Sequence, residues 1–118
     1  MIVRKSDAVA INFEGLRIFD FTGGQQGLSS SLALIDVPAG CDHAQAWSKR
    51  SDKYYLVVNG TIRFVLENKV FDLNAGDFCL VRQGEKFSYS NMQNSDAQLV
   101  LVHTPSFDLE SEVFVEAS

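Results

Sequence analysis

The chain has 118 residues, enough for one domain with its own core, and 46% of them are apolar, which excludes a disordered or collagen-like protein. Its net charge is −5, and the first 86 residues contain ten basic and ten acidic residues, so the negative excess lies in the C-terminal part. An acidic chain without a basic stripe argues against a nucleic-acid partner, because phosphate binding depends on Lys and Arg.

The N-terminal segment MIVRKSDAV contains a basic pair but lacks the apolar stretch and the cleavage site of a signal peptide. No apolar run approaches the ~20 residues that a membrane-spanning helix needs. We therefore expect a cytoplasmic protein without a membrane partner. Cys41 and Cys79 are the two cysteines of the chain, too few for a disulfide framework, and we expect both to be reduced.

Short apolar segments, many of them alternating with polar residues and separated by turn residues, predict an all-β chain. Two N-terminal strands are predicted within residues 8–21, turning at Glu14-Gly15, and a longer strand over 28–37 ends at Pro38. The acidic tail, 106–118, fits either a short helix or an edge segment. Nine or so short strands in one domain favour a sandwich or a jelly-roll barrel. The later strands are predicted at 54–58, 61–67, 69–73, 78–82, 86–91 and 97–103.

Asn59-Gly60 predicts a two-residue β-hairpin, because both residue types tolerate the positive φ of a type I′ turn. In that register Tyr55 faces Phe64 across the pair. One face of the two strands is largely apolar and is the predicted barrel lining, and the other mixes apolar side chains with Arg63, as a dimer surface would. The predicted lining consists of Lys53, Tyr55, Val57, Ile62, Phe64 and Leu66.

Two further segments contribute to the predicted interior. In FSYSN, at 87–91, the alternation turns Phe87, Tyr89 and Asn91 inward and leaves the serines facing solvent. Before the predicted hairpin, three small residues share one strand face and leave room for a ligand: Ala44, Ala46 and Ser48.

The glycine spacing resembles that of the cupin family, small jelly-roll barrels whose first motif is G-x5-H-x-H-x(3,4)-E-x6-G. Aligned on Gly60, the two motif histidines correspond to Ala46 and Ser48, and the motif glutamate corresponds to Lys53. Three positions that hold a metal in the family therefore carry other residues in this chain.

The second cupin motif has the form G-x5-P-x-G-x2-H-x3-N. Aligned on Gly76, the chain keeps Gly84 and Asn91, but Arg82 replaces the proline and Phe87 replaces the metal-binding histidine. The resemblance covers roughly residues 28–105 and implies a double-stranded β-helix, within a single domain of residues 1–118. With all four ligand positions substituted, it predicts no metal and no cofactor in the family's usual site.

Lys53 carries the most information among these substitutions. If its amine lies in the barrel mouth, an ammonium takes the place of the metal cation and could bind a carboxylate or phosphate. If desolvation lowers its pKa, the amine could instead attack a carbonyl group. The alternative is that Lys53 is the solvated end of the polar run 48–52.

Tyr55 and Tyr89 could donate hydrogen bonds to a ligand or act as acids, or they could be core residues with local partners. His103 is a further weak catalytic candidate. Asp42, His43 and His103 could form a two-histidine, one-carboxylate metal site, although a surface His43 and a structural His103 are the simpler interpretation.

The sequence thus predicts a metal-independent, homodimeric cupin-like domain that binds a small polar or anionic organic ligand in its barrel. One alternative is a metal-independent isomerase or epimerase for a sugar-like or carbonyl substrate, with Lys53, Tyr55, Tyr89 and His103 as catalytic candidates. Another is a structural or interaction module with a filled barrel. The predicted ligand-binding residues are Ser48, Lys53, Tyr55, Phe64, Phe87, Tyr89 and Asn91.

Overall fold

A computed structural model describes residues 1–23 and 25–115. Within them the chain is all-β, with short 3-10 turns at Lys5–Asp7 and Leu109–Ser111. No helix in these two ranges has the length and apolar character needed to cross a membrane. The strands are β1 (Val9–Phe13), β2 (Leu16–Asp20), β3 (Ser31–Val37), β4 (Asp42–Ser48), β5 (Asp52–Asn59), β6 (Thr61–Leu66), β7 (Lys69–Asn74), β8 (Phe78–Val81), β9 (Phe87–Ser90), β10 (Ala97–Thr104) and β11 (Glu112–Phe114).

The strands form two antiparallel sheets, which confirms the predicted jelly-roll barrel. The six-stranded sheet has the order β1-β2-β3-β10-β5-β8, and the five-stranded sheet has the order β11-β4-β9-β6-β7. Inward-facing side chains of both sheets build one apolar core, to which Val57 and Leu99 contribute from the first sheet and Ile62 and Phe64 from the second. Burial of this shared core is what holds the two sheets together.

The predicted hairpin at Asn59-Gly60 is wrong. β5 pairs with β10 and β8, whereas β6 pairs with β7 and β9, so Gly60 carries the chain from one sheet to the other. Gly60 has a φ of 80°, and a Cβ at this position would lie 2.8 Å from the Cβ of Ala97. The positive φ that suggested a hairpin is therefore used at a barrel corner.

The predicted inward face of β5 and β6 is nevertheless confirmed. Lys53, Tyr55, Val57, Ile62 and Phe64 are buried and Leu66 is partly buried against the same core. The alternation of each strand points the same residues inward whether the strands pair or face each other. The tight hairpin of this region instead joins β6 to β7, through Glu67-Asn68 with φ values of 46° and 69°.

A β-bulge interrupts β4. His43 lies opposite Tyr89 and Ala46 lies opposite Phe87, so three steps along β4 match two steps along β9. The extra residue shifts the alternation, which leaves Ala44 exposed while Ala46 and Ser48 are buried. The prediction that Ala44 shares the inner face is therefore wrong, and His43 is turned toward the barrel interior instead.

The acidic tail contains both of the structures that its sequence allowed. The 3-10 turn Leu109–Ser111 leads into β11, which pairs with the edge of β4 and places Glu112 opposite Ser48. Residues 116–118, the end of the predicted tail, lie outside the described residues. The tail thus forms part of the barrel wall at its edge.

We expect Gly60→Ala to lower the free energy of unfolding by about 3 kcal/mol, because the substitution adds left-handed strain to a clash with Ala97. Gly76→Ala is the matched control: its φ is 94°, but nothing lies within 4 Å of the added Cβ, so about 1 kcal/mol is expected. Urea unfolding of both variants measures the difference, and equal losses would contradict the close approach at Gly60.

Candidate functional site

A cavity of about 310 Å³ occupies one end of the barrel interior and is partly open to solvent. Side chains of both sheets line it, and the C-terminal tail adds Phe107, Leu109 and Phe114. Its volume lies at the lower end of the roughly 300–1,000 Å³ typical of small-molecule sites. The walls are mainly apolar, and the polar groups that concern its chemistry are His43, Lys53, Tyr55, Tyr89, His103 and Glu112.

A buried charged cluster lies in this cavity. Lys53 on β5 forms an ion pair with Glu112 on β11, and each side chain is only 5% exposed. His103 on β10 completes the cluster, with its Nε2 atom 3.2 Å from Lys53 Nζ and 3.8 Å from the Glu112 carboxylate. Three strands thus bring one cation, one anion and one imidazole together away from bulk water.

The cluster shifts the pKa values of its members. Burial lowers the pKa of Lys53, and the nearby Glu112 charge only partly offsets that effect. Burial also lowers the pKa of His103, so its imidazole is neutral at pH 7 and its Nε2 can accept a hydrogen bond from Lys53. For Glu112, burial alone would raise the pKa, but the neighbouring His103 and the charge of Lys53 lower it to about 2.

His43 presents a free imidazole nitrogen to the cavity. Its Nδ1 lies 2.6 Å from the carbonyl oxygen of Ala44, and because a carbonyl oxygen can only accept, Nδ1 carries the proton. Burial lowers the pKa of His43, which keeps the ring neutral at pH 7 and Nε2 unprotonated. The ring centroids of Phe87 and Tyr89 lie 5.2 and 5.1 Å from that of His43. His43 is therefore held as a base.

Two tyrosines complete the polar lining. The Tyr89 hydroxyl is buried and has no hydrogen-bond partner among the residues that the structure describes. Burial raises the pKa of Tyr89 and of Tyr55 well above the usual value for a phenol, so both remain neutral donors. An unpartnered buried hydroxyl is costly in free energy unless a ligand or water satisfies it. Tyr89 is therefore positioned to bind a ligand oxygen.

Of the seven predicted ligand-binding residues, Lys53, Tyr55 and Tyr89 line the cavity, and the predicted catalytic candidate His103 joins them. Phe64 and Phe87 are buried in the core beside it. The remaining two, Ser48 and Asn91, are held by the backbone.

Ser48 and Asn91 have structural partners. The hydroxyl of Ser48 accepts hydrogen bonds from the backbone amides of Arg50 and Ser51. The amide of Asn91 donates to the carbonyl oxygens of Val37 and Ser95, and its oxygen accepts from the amide of Gln93. Both side chains therefore stabilise turns and lie outside the cavity lining.

Two site residues are not predicted as such by the sequence. The simpler sequence interpretation places His43 on the surface, because nothing in the sequence marks the bulge that turns it inward. It leaves Glu112 in an unassigned tail, where the one available signal is that a lysine inside the barrel needs a carboxylate partner.

The alternative metal site of Asp42, His43 and His103 is not formed in the structure. Asp42 is exposed, does not line the cavity and lies next to His43 in the strand, so the two side chains point in opposite directions. Across residues 1–23 and 25–115, no group of three or more His, Cys, Asp or Glu side chains is arranged to hold a metal ion.

The family model of the cupin domain matches residues 33–103, more than half of the chain. The chain belongs to the cupin family. The match begins in β3 and ends in β10, so it includes the strands that carry His43, Lys53, Tyr89 and His103 but not the tail with Glu112. No curated protein sequence matches this cupin significantly.

Solved structures share the fold over most of this cupin's length. A Streptomyces nucleoside dehydratase, Pac13, superposes with a TM-score of 0.85 at 22% identity, covering 98% of this chain and 91% of its own. Variants of that dehydratase, with a tyrosine replaced by phenylalanine or a histidine by glutamine, have been solved with uridine. A predicted oxalate decarboxylase from Thermotoga maritima superposes with a TM-score of 0.79 at 19% identity, covering 89% of this chain and 99% of its own.

We expect Glu112→Gln to lower the free energy of unfolding at pH 7 by about 3 kcal/mol, because it leaves the Lys53 ammonium buried without its counter-charge. Glu110→Gln, an exposed change two residues away, is the control and should stay within about 0.5 kcal/mol of the wild type. Chemical unfolding measures both, and a Glu112→Gln variant as stable as Glu110→Gln would contradict the buried ion pair.

The same variant has a defined pH dependence. Folding lowers the pKa of Glu112 from its usual 4.5 to about 2, so the stabilisation by its charge is complete above pH 4.5 and is lost as the pH falls toward 2. The stability difference between wild type and Glu112→Gln should therefore shrink across this window.

Proposed function

We propose that this cupin is an acid–base enzyme that removes a proton from a carbon beside a carbonyl group in a small sugar-like or nucleoside-like substrate. The observation that carries the proposal is one cavity containing a neutral imidazole base, His43, and an unpartnered phenol donor, Tyr89. Loss of a leaving hydroxyl then gives a dehydration, and return of the proton gives an isomerisation or epimerisation. Substitution of all four family ligand positions supports a mechanism independent of a metal.

The assignment of roles follows from the geometry. His43 Nε2 is the base, since Nδ1 is occupied by the Ala44 carbonyl and the low pKa of the ring keeps it unprotonated at pH 7. Tyr89 donates to the substrate oxygen that gains negative charge or leaves, because its own hydroxyl has no other described partner. The Lys53 ammonium lines the same cavity, where its charge is paired with that of Glu112.

The shape and chemistry of the walls favour a substrate with a flat or ring-shaped part. Phe13, Tyr55, Tyr89 and Phe114 surround the cavity with aromatic surface, against which a planar ring can pack. The similarity to a nucleoside dehydratase, whose structures contain uridine, supports a nucleoside-like substrate.

The Lys53–Glu112 ion pair also bears on the predicted ligand charge. A free ammonium would favour an anionic ligand, but Glu112 already neutralises Lys53. An anion would therefore have to compete with a buried carboxylate, so we propose a neutral polar substrate. The alternative of a filled, purely structural barrel is disfavoured by the cavity itself.

The homodimer stays a proposal. The outer face of the six-stranded sheet exposes apolar side chains that are aligned across strands: Leu56 is opposite both Phe78 and Val100, and Tyr54 is opposite Val102. A second copy of the chain would cover such an apolar patch. The cytoplasmic location and the absence of nucleic-acid and membrane partners remain predictions from the sequence.

We expect His43→Gln and Tyr89→Phe to reduce kcat by about 100-fold or more while leaving the fold intact, the usual scale for loss of a catalytic acid or base. A panel of nucleosides, sugar aldehydes and ketones is incubated in heavy water, and proton NMR and mass spectrometry report deuterium uptake or loss of water.

Tyr54→Phe is the matched control, because this tyrosine lies on the outer face and is 37% exposed. It should retain full activity. Full activity of His43→Gln on a turned-over substrate would refute the assignment of the base.

A further inference from the structure

The amine of Lys53 lies in the cavity wall, beside a neutral imidazole and within reach of a bound ligand. We propose that Lys53 forms an imine with an aldehyde or ketone group of the ligand, so that this cupin holds its carbonyl substrate covalently. The inference rests on the carbonyl substrate of the proposed function and adds a covalent step to it.

His103 supplies the proton acceptor that an amine nucleophile needs. An ammonium has no lone pair and must lose a proton before it can attack. The Nε2 atom of His103 is 3.2 Å from Lys53 Nζ, which is hydrogen-bond distance, and the side chains of both residues are almost fully buried. Burial also lowers the pKa of Lys53, which makes that proton transfer less costly.

The step balances in atoms and charge. His103 takes one proton from the Lys53 ammonium, and the free amine attacks the carbonyl carbon to form the C–N bond of a carbinolamine. His103 returns the proton to the carbinolamine oxygen, the second amine proton follows it, the C–O bond breaks, and water leaves. One ammonium and one carbonyl thus give one iminium and one water, without an external oxidant or reductant.

Glu112 suits this reaction because the charge beside it does not change. The ammonium and the iminium each carry one positive charge, so the buried carboxylate stays paired before and after the C–N bond forms. A neutral product at Lys53 would instead leave Glu112 as an unpaired buried charge. The ion pair therefore favours an iminium over a neutral adduct.

The imine would also serve the acid–base chemistry of His43. Lys53 Nζ lies 5.1 Å from the ring centroid of Phe87, and the His43 ring centroid lies 5.2 Å from the same centroid. Both side chains also line the same cavity. An iminium withdraws electrons from the neighbouring carbon more strongly than a carbonyl does, which makes the proton on that carbon easier for His43 to remove.

Reductive trapping tests the proposal on the whole chain. The protein is incubated at pH 7 with glyceraldehyde or propanal and sodium cyanoborohydride, which reduces an iminium to a stable secondary amine. Peptide mapping by mass spectrometry then locates the label. Lys53 should be labelled at least about tenfold faster than the exposed Lys69, because burial lowers its pKa and raises its free-amine fraction, and because His103 lies in place to take the proton.

Two variants complete the experiment. Lys53→Arg keeps a cation beside Glu112 but cannot form an imine, so the fast label should disappear, whereas Lys69→Arg should retain it. If Lys53 is labelled no faster than Lys69 in the wild-type protein, the proposal is overturned. This comparison does not depend on the folding of any variant. His43→Gln should still be trapped although it has lost turnover, so failure of the imine and failure of the acid–base assignment give different results.

Discussion

The buried ion pair between Lys53 and Glu112 is the interaction on which the site depends. A lysine ammonium inside an apolar barrel costs several kcal/mol unless a carboxylate accompanies it. The carboxylate comes from β11, so the C-terminal tail must pair with β4 for the barrel to contain its own charge. That pairing also brings Phe107, Leu109 and Phe114 onto the cavity, and a tail that lies beyond the cupin motifs thereby becomes a wall of the site.

A single backbone irregularity supplies the second requirement. The bulge between His43 and Ala46 reverses the side-chain alternation within β4, so His43 and Ser48 both point inward although they are five positions apart. The exposed Ala44 at the bulge then offers its carbonyl to His43 Nδ1, which fixes the tautomer of the ring. The bulge thus turns His43 toward the cavity and leaves Nε2 as its unprotonated nitrogen.

Much of the fold could be predicted from the sequence because period-two alternation and glycine spacing are local signals. They gave the all-β class, the jelly-roll barrel and the inward positions of Lys53, Tyr55 and Tyr89. Strand pairing was less accessible: Asn59-Gly60 suits a hairpin and a barrel corner equally, and the contact with Ala97 that decides between them is 37 residues away in sequence. His43 and Glu112 were missed for the same reason, since a bulge and an edge pairing depend on partner strands.

The central claim is that the cavity holds a neutral His43 with its free nitrogen available as a base. Nitrogen-15 NMR of the histidine side chains at pH 7 tests it most directly, since the two ring nitrogens report separately on their protons. The account predicts that His43 is protonated on Nδ1 alone, with Nε2 bare. A His43 protonated on Nε2, or on both nitrogens, would contradict it.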